Sequence, residues 1–194
     1  MDYSLYKTIN DLSGPAGLDA VFRFLANELP LVIVCLTALL FLINWPSRKL
    51  RRRQGAVAGT AAGALALLIN QPITHWVDRA RPYVAHPGHA HLLIARSHDP
   101  SFPSDHATGA VAIATAVWFY DRVAGAVLFG LAALLGFSRV YVGIHYPGDV
   151  VGGAAIGAAV ALGLRLPPLR SQLERLADSC SRLWDRVVPF GQMQ

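Results

Sequence analysis

Polar residues are sparse along most of this chain and gather at the ends of long apolar runs. Five runs, roughly residues 29–45, 55–73, 103–120, 123–142 and 147–166, are candidates to cross a hydrocarbon layer that calls for about 20 apolar residues. The third and fifth have short apolar cores, so their polar starts are expected at the membrane surface. Ahead of the first run, Leu18, Val21, Phe22, Leu25 and Leu29 fall on one helical face, which predicts an interfacial helix within residues 1–28 rather than another crossing. The pattern thus predicts an all-α, polytopic membrane helix bundle of one domain over 1–194, with the bundle at 29–166 and an amphipathic tail at 167–194.

Composition agrees: 54% of residues are hydrophobic and 15% charged, which excludes an ordinary soluble domain. Charge then orients the bundle. Arg48, Lys49, Arg51, Arg52 and Arg53 in the first connection, and Arg165, Arg170, Arg175, Arg182 and Arg186 in the tail, predict that both face the cytoplasm. An odd number of crossings puts the N-terminus outside the inner membrane. The 74–105 connection and the 143–149 loop then share the outer face, and the tight turn at Asp121 and Arg122 lies inside. The net charge of +5 reflects this topology and anionic lipid headgroups, not nucleic acid. No cleaved signal peptide is expected from the first residues. Cys35 and Cys180 lie in runs expected at different depths, which argues against a disulfide.

Gly55, Gly59 and Gly63, and again Gly153 and Gly157, recur every four residues and are expected to let helices pack closely in lipid. In the tail, Leu169, Leu173, Leu176, Cys180, Leu183 and Val187 form a stripe flanked by arginines. Two readings stand, a surface-lying helix, which the arginines favour, and a seam for a homo-oligomer. Trp45, Trp76, Tyr83 and Tyr120 lie near run ends and are expected as interfacial anchors.

The candidate chemistry sits at three of the polar ends: Arg81 with Pro82; Pro103, Ser104, Asp105 and His106; and Ser138, Arg139, His145, Pro147 and Asp149. A phosphate ester or anhydride must have its charge held while phosphorus is attacked, and the guanidiniums of Arg81 and Arg139 suit that task. Ser104 is placed to cap a helix while its hydroxyl and nearby N–H groups face an anion, and Pro147 marks a second helix start. A neutral imidazole at His145 is a competent nucleophile, and Asp149, four residues on, can accept its other N–H. His106 is left to protonate the departing oxygen. Asp105 has two readings, a favoured acid at a helix start or a shaper of a diphosphate pocket.

These residues resemble the type 2 phosphatidic acid phosphatase superfamily of membrane lipid phosphatases. Ser138, Arg139, His145 and Asp149 match its third motif, Pro103 to His106 its second with Asp105 in place of glycine, and Arg81-Pro82 the end of its first, where Thr74 stands for the usual lysine. The resemblance implies a phosphohistidine at His145, His106 acting on the leaving group, Asp149 orienting His145, and Arg81, Ser104 and Arg139 binding phosphate. The departures resemble the bacitracin-resistance type of bacterial undecaprenyl pyrophosphate phosphatase, implying a polyprenyl diphosphate substrate handled on the outer membrane face. Arg79 either replaces the missing lysine or meets lipid headgroups. No metal and no cofactor are expected. His86, His89 and His91 fall in a loop without the cysteines or helical His pair of a zinc site, which predicts a flexible loop facing headgroups. Two other functions remain on the sequence: a phosphatidic acid or phosphatidylglycerophosphate phosphatase, and a lipid transporter lined by groups such as Asn70 and Gln71. The absence of repeated halves weighs against the transporter.

Overall fold

The computed structural model describes residues 1–43 and 48–188. Eight helices follow in order: α1 (Asp2–Asn10), α2 (Ala16–Leu42), α3 (Lys49–Val77), α4 (Pro82–Ala85), α5 (Asp105–Trp118), α6 (Arg122–Tyr141), α7 (Pro147–Gly163) and α8 (Pro167–Val187). No strand occurs among the described residues. The bundle consists of α2, α3, α5, α6 and α7, at the five places that the apolar runs predict. The chain is a multi-pass membrane protein. By length and composition, α2, α3 together with α4, and α6 are able to cross, and α7 with α8 counts as a fourth crossing if their 83° bend lies within one span.

The other two bundle helices are short for physical reasons legible in their ends. At 14 and 17 residues, α5 and α7 are about 21 and 26 Å long, against a layer about 30 Å thick. Their polar N-termini are therefore recessed relative to the long α2 and α3, and the loops before them fill the space above. At the other end Asp121 accepts hydrogen bonds from the N–H groups of Val123 and Ala124, both at 3.1 Å, capping α6 and fixing the tight turn.

Glycines set how closely the helices meet. Gly59 and Gly63 of α3 lie against Val117 and Ile113 of α5, where an added Cβ would sit 3.1 and 3.0 Å from side-chain carbons. On α7, a Cβ at Gly153 would lie 2.6 Å from the Ser104 carbonyl oxygen. A side chain at either helix crossing would push the backbones apart, so these glycines are packing residues, as expected.

The N-terminal segment differs from its expected form. Residues 16–42 make one continuous helix with Pro30 inside it, so the apolar face beginning at Leu18 runs on into the crossing instead of lying apart. Phe22 stacks on Tyr141 of α6 at 4.1 Å and Leu29 joins the core, which gives those two a protein partner, while Leu18 and Val21 of the same face stay exposed. The separate helix is α1, whose Tyr6 and Asn10 are buried against Tyr146 and Tyr141, where α6 ends and α7 begins. Asn10 bonds the carbonyls of His91 and Tyr141 at 2.9 and 2.8 Å and accepts the His91 N–H at 2.8 Å. These bonds tie down the loop expected to be flexible. His86 stacks on Tyr3 and His91 bonds Ser13, and no cluster of metal-binding side chains occurs among the described residues.

The tail meets the bundle through polar groups. Arg53, fully buried on α3, donates to Ser181 at 2.6 Å and Asp185 at 2.8 Å, and Gln54 donates to Asp178 at 3.0 Å. Leu169, Leu176, Leu183 and Val187 stay exposed on α8. Cys35 and Cys180 are free. Of the expected anchors, Trp76 is exposed, but Tyr83 is buried and donates to the Ser97 carbonyl at 2.7 Å, and Tyr120 is partly buried beneath Glu174. Trp45 lies outside the described residues.

Candidate active site

At one end of the bundle the first turns of α5 and α7 touch, Ser104 donating its N–H to the Asp149 carbonyl at 3.0 Å. Beside them is a polar chamber of about 380 Å³, whose lining includes Gln71, Thr74, His75, Arg81, Asp105, His106, Arg139 and His145. Three distant motifs thus supply one cavity, with Arg81, Arg139, His106 and His145 on its wall and His75 of α3 as a third histidine. A second cavity of about 410 Å³, apolar and lined by α2, α3 and α5, shares Asp105 and His106 with the first. A polar chamber and a greasy cleft therefore adjoin at these two residues.

His145 is buried, and its Nδ1 lies 2.9 Å from the carbonyl oxygen of Ser101. A carbonyl only accepts, so Nδ1 carries the proton and Nε2 keeps the lone pair. Asp149 was expected as that acceptor; instead its nearest carboxylate oxygen is 3.7 Å from Nδ1. The same oxygen takes the Ser101 hydroxyl at 2.6 Å and the Tyr146 N–H at 2.8 Å, while the other takes Arg79 at 2.7 Å. Burial pulls the His145 imidazole below its ordinary pKa, Arg81 and Arg139 act in the same direction, and Asp149 opposes them. The ring is therefore neutral at pH 7.

Arg79 does not line the chamber, and its side chain is 32% exposed. Its guanidinium lies 4.0 Å over the Tyr146 ring and bridges two carboxylates, Asp149 and, at 2.6 Å, Asp2 of α1. Burial works against its charge, but the Asp2 hydrogen bond and the Asp149 charge outweigh that and raise its pKa. Asp2 also accepts the Gly148 N–H at 2.9 Å, so α1 caps α7 from outside.

Arg81 donates to the carbonyls of Asp99, Ile144 and Pro100 at 2.7, 3.1 and 3.3 Å, which leaves two of its five N–H groups for a ligand. Arg139 makes one bond, to Ala26 of α2, and its Nε is buried without a partner. Ser104 sits at the N-cap of α5, yet its hydroxyl does not cap; it too is buried without a partner. Unpaired buried donors are costly; Arg139 lines the chamber, and Ser104 stands between Pro103 and Asp105, which line it too. Asp105 accepts from Asn70 of α3 at 2.7 Å.

Sequence reasoning missed Ser101 and Asp2. Neither lies in a motif, and a serine or aspartate in a polar stretch carries no periodicity to mark it; only the fold shows what Ser101 holds with both its carbonyl and its hydroxyl.

The family model described as PAP2 superfamily matches residues 55–170. Undecaprenyl-diphosphatase BcrC of Bacillus subtilis strain 168 is 35% identical over 97% of this chain and 94% of its own. YbjG of Escherichia coli strain K12, provisionally named an undecaprenyl-diphosphatase, is 30% identical over 86% of this chain and 82% of its own. Among solved structures, Aquifex aeolicus LpxE superposes with a TM-score of 0.65 at 28% identity, covering 83% of this chain and 92% of that one.

Proposed function

Because the chain belongs to the PAP2 superfamily, we propose that it hydrolyses undecaprenyl diphosphate to undecaprenyl phosphate and inorganic phosphate through a phosphohistidine at His145. The observation that carries this is the meeting of the polar chamber with the apolar cleft at Asp105 and His106. A ligand with a multiply charged head and a long hydrocarbon tail fits that junction, and the unpaired donors of Ser104 and Arg139 suit its phosphate oxygens. The activity in the names of the relatives points to the same substrate.

The chemistry follows from the proton positions. With Nδ1–H held by the Ser101 carbonyl, the Nε2 lone pair of His145 attacks the terminal phosphorus. The bond from that phosphorus to the bridging oxygen breaks, and undecaprenyl phosphate leaves, taking a proton from His106. Phosphorylation at Nε2 makes the ring cationic, and the Asp149 carboxylate 3.7 Å away stabilises that charge. Water, deprotonated by His106, then attacks the phosphohistidine and releases phosphate. Arg81, Arg139, Ser104 and the α5 N-terminus hold the oxygens throughout, so the reading calls for no metal.

The arginine-rich connection and tail support a placement in the inner membrane with the site on the outer face. Arg52 pairs with Asp121 at 2.6 Å and Arg53 with Asp185, so every basic segment gathers at the end opposite the chamber.

Phosphate release by the purified protein in detergent, measured with undecaprenyl diphosphate, phosphatidic acid and phosphatidylglycerophosphate, tests the assignment. The diphosphate should give the highest kcat/KM. A preference for either glycerolipid would remove the undecaprenyl assignment and leave the histidine chemistry standing.

A further inference from the structure

Pro30 interrupts α2 inside its apolar stretch and borders the cleft beside His106. Proline has no N–H, so the bond that residue 30 would give to the Ala26 carbonyl, one turn back, is missing. In a regular helix a proline ring also crowds the carbonyl four residues back, which favours tilting it off the axis. Within a hydrocarbon layer a freed carbonyl needs another donor. Arg139 of α6 supplies it, its Nη1 lying 3.2 Å from the Ala26 oxygen, with both residues buried. Among the described residues this is the one hydrogen bond that the Arg139 side chain makes to protein. The rest of the guanidinium is left for the chamber that it lines.

We propose that Pro30 is a positioning residue for Arg139. By withholding its N–H and turning the Ala26 carbonyl outward, it reserves an acceptor that anchors the guanidinium at one corner and aims the remaining donors at phosphate. A long cationic side chain with no anchor would sample many rotamers, and ordering it would cost affinity for the anion. The proposal rests on Arg139 being a phosphate ligand, as assigned above. It differs from a purely structural role, in which Pro30 would merely shape α2.

The test uses full-length protein in detergent, with vanadate affinity read by thermal shift and kcat/KM read by phosphate release. Pro30→Ala restores the helical N–H and straightens the carbonyl. It should weaken vanadate binding and lower kcat/KM, each by roughly three- to tenfold, while the melting temperature holds or rises because alanine suits a helix interior. Pro30→Gly also restores the N–H but suits a helix less well than alanine, so it should lose the same vanadate affinity at a melting temperature below that of Pro30→Ala. In an Arg139→Lys background the further change from Pro30→Ala should stay under about twofold. Unchanged vanadate affinity in Pro30→Ala, affinity that follows melting temperature across the two variants, or a full additional loss in the Arg139→Lys background would each overturn the proposal. Wild-type vanadate affinity in Arg139→Lys alone would instead remove the phosphate-ligand assignment on which it stands.

Discussion

Replacing Ser101 by alanine separates two services that one residue performs. The backbone carbonyl that receives His145 Nδ1 at 2.9 Å is unaffected, so the imidazole keeps its tautomer. What disappears is the hydroxyl bond of 2.6 Å to the buried Asp149 carboxylate. A hydrogen bond to a charged group contributes about 1.5–3 kcal/mol, which would correspond to roughly 10- to 150-fold in rate if all of it acted in the transition state. Two donors remain on Asp149, the Tyr146 N–H and Arg79, and the loosened carboxylate has only to cross the 3.7 Å gap to reach Nδ1. The expected loss is therefore at the low end, about tenfold in kcat/KM. Phosphate release under single-turnover conditions reads it, with acid-quenched phosphohistidine as a second measure. An undiminished rate would mean that Asp149 does not stabilise the charged intermediate. A loss as deep as that of His145→Ala would mean that the hydroxyl, not the carbonyl, governs the nucleophile.

Because burial lowers the His145 pKa, the acid limb of kcat/KM should fall below the ordinary histidine range near 6.5; a limb above it would contradict a neutral, buried nucleophile. The same shift has a stability counterpart: the unfolded ring binds a proton first, so this contribution is complete above about pH 6.5 and is lost as pH drops through the lower folded value, seen as a falling melting temperature. Chelators should leave turnover intact, while vanadate, which imitates five-coordinate phosphorus, should inhibit; a metal requirement proven by add-back would refute the arginine-based site. In a variant lacking Cys35 and Cys180, single cysteines in the 86–98 loop should react with an impermeant thiol reagent on intact cells and one at Lys49 should not; the reverse pattern would invert the topology. His106→Ala should harm cleavage of a monophosphate lipid more than of a diphosphate, because the diphosphate leaving group needs less protonation; equal losses would remove His106 as the acid.

Apolar runs located the five bundle helices because that signal repeats over many residues. The spacing of His145, Asp149 and Arg139 was likewise legible, since it lies within one loop and the ends of two helices. What escaped were contacts between segments far apart in sequence. Asp2 reaching Arg79 and Gly148, Asn10 holding the 86–98 loop, and Ser101 joining His145 to Asp149 are each a single polar residue meeting a partner through the fold. Helix lengths were misjudged at α2 because amphipathic and fully apolar stretches join there with no capping residue between them. Arg79 shows the limit of motif logic most clearly: the right charge near the right place, committed to two carboxylates instead of the chamber.

The glycine contacts between α5 and α7 also govern how the molecule can move. With Gly153 and Gly157 seated against Ser104 and Thr108, those two helices have no slack, and α3 is locked to α5 along Gly59 and Gly63. The opposite wall is different. On α2, Leu31, Val32, Val34, Leu39 and Leu42 are exposed side chains with lipid as their neighbour. Rigidity is thus greatest where α5 meets α7 and α3, while α2, held on its inner side by Phe22, Ala26 and Leu29, gives its other side to lipid. A change in the thickness of the surrounding lipid should therefore reach the apolar cleft through α2, the cleft wall that lipid contacts, before it reaches the paired α5 and α7.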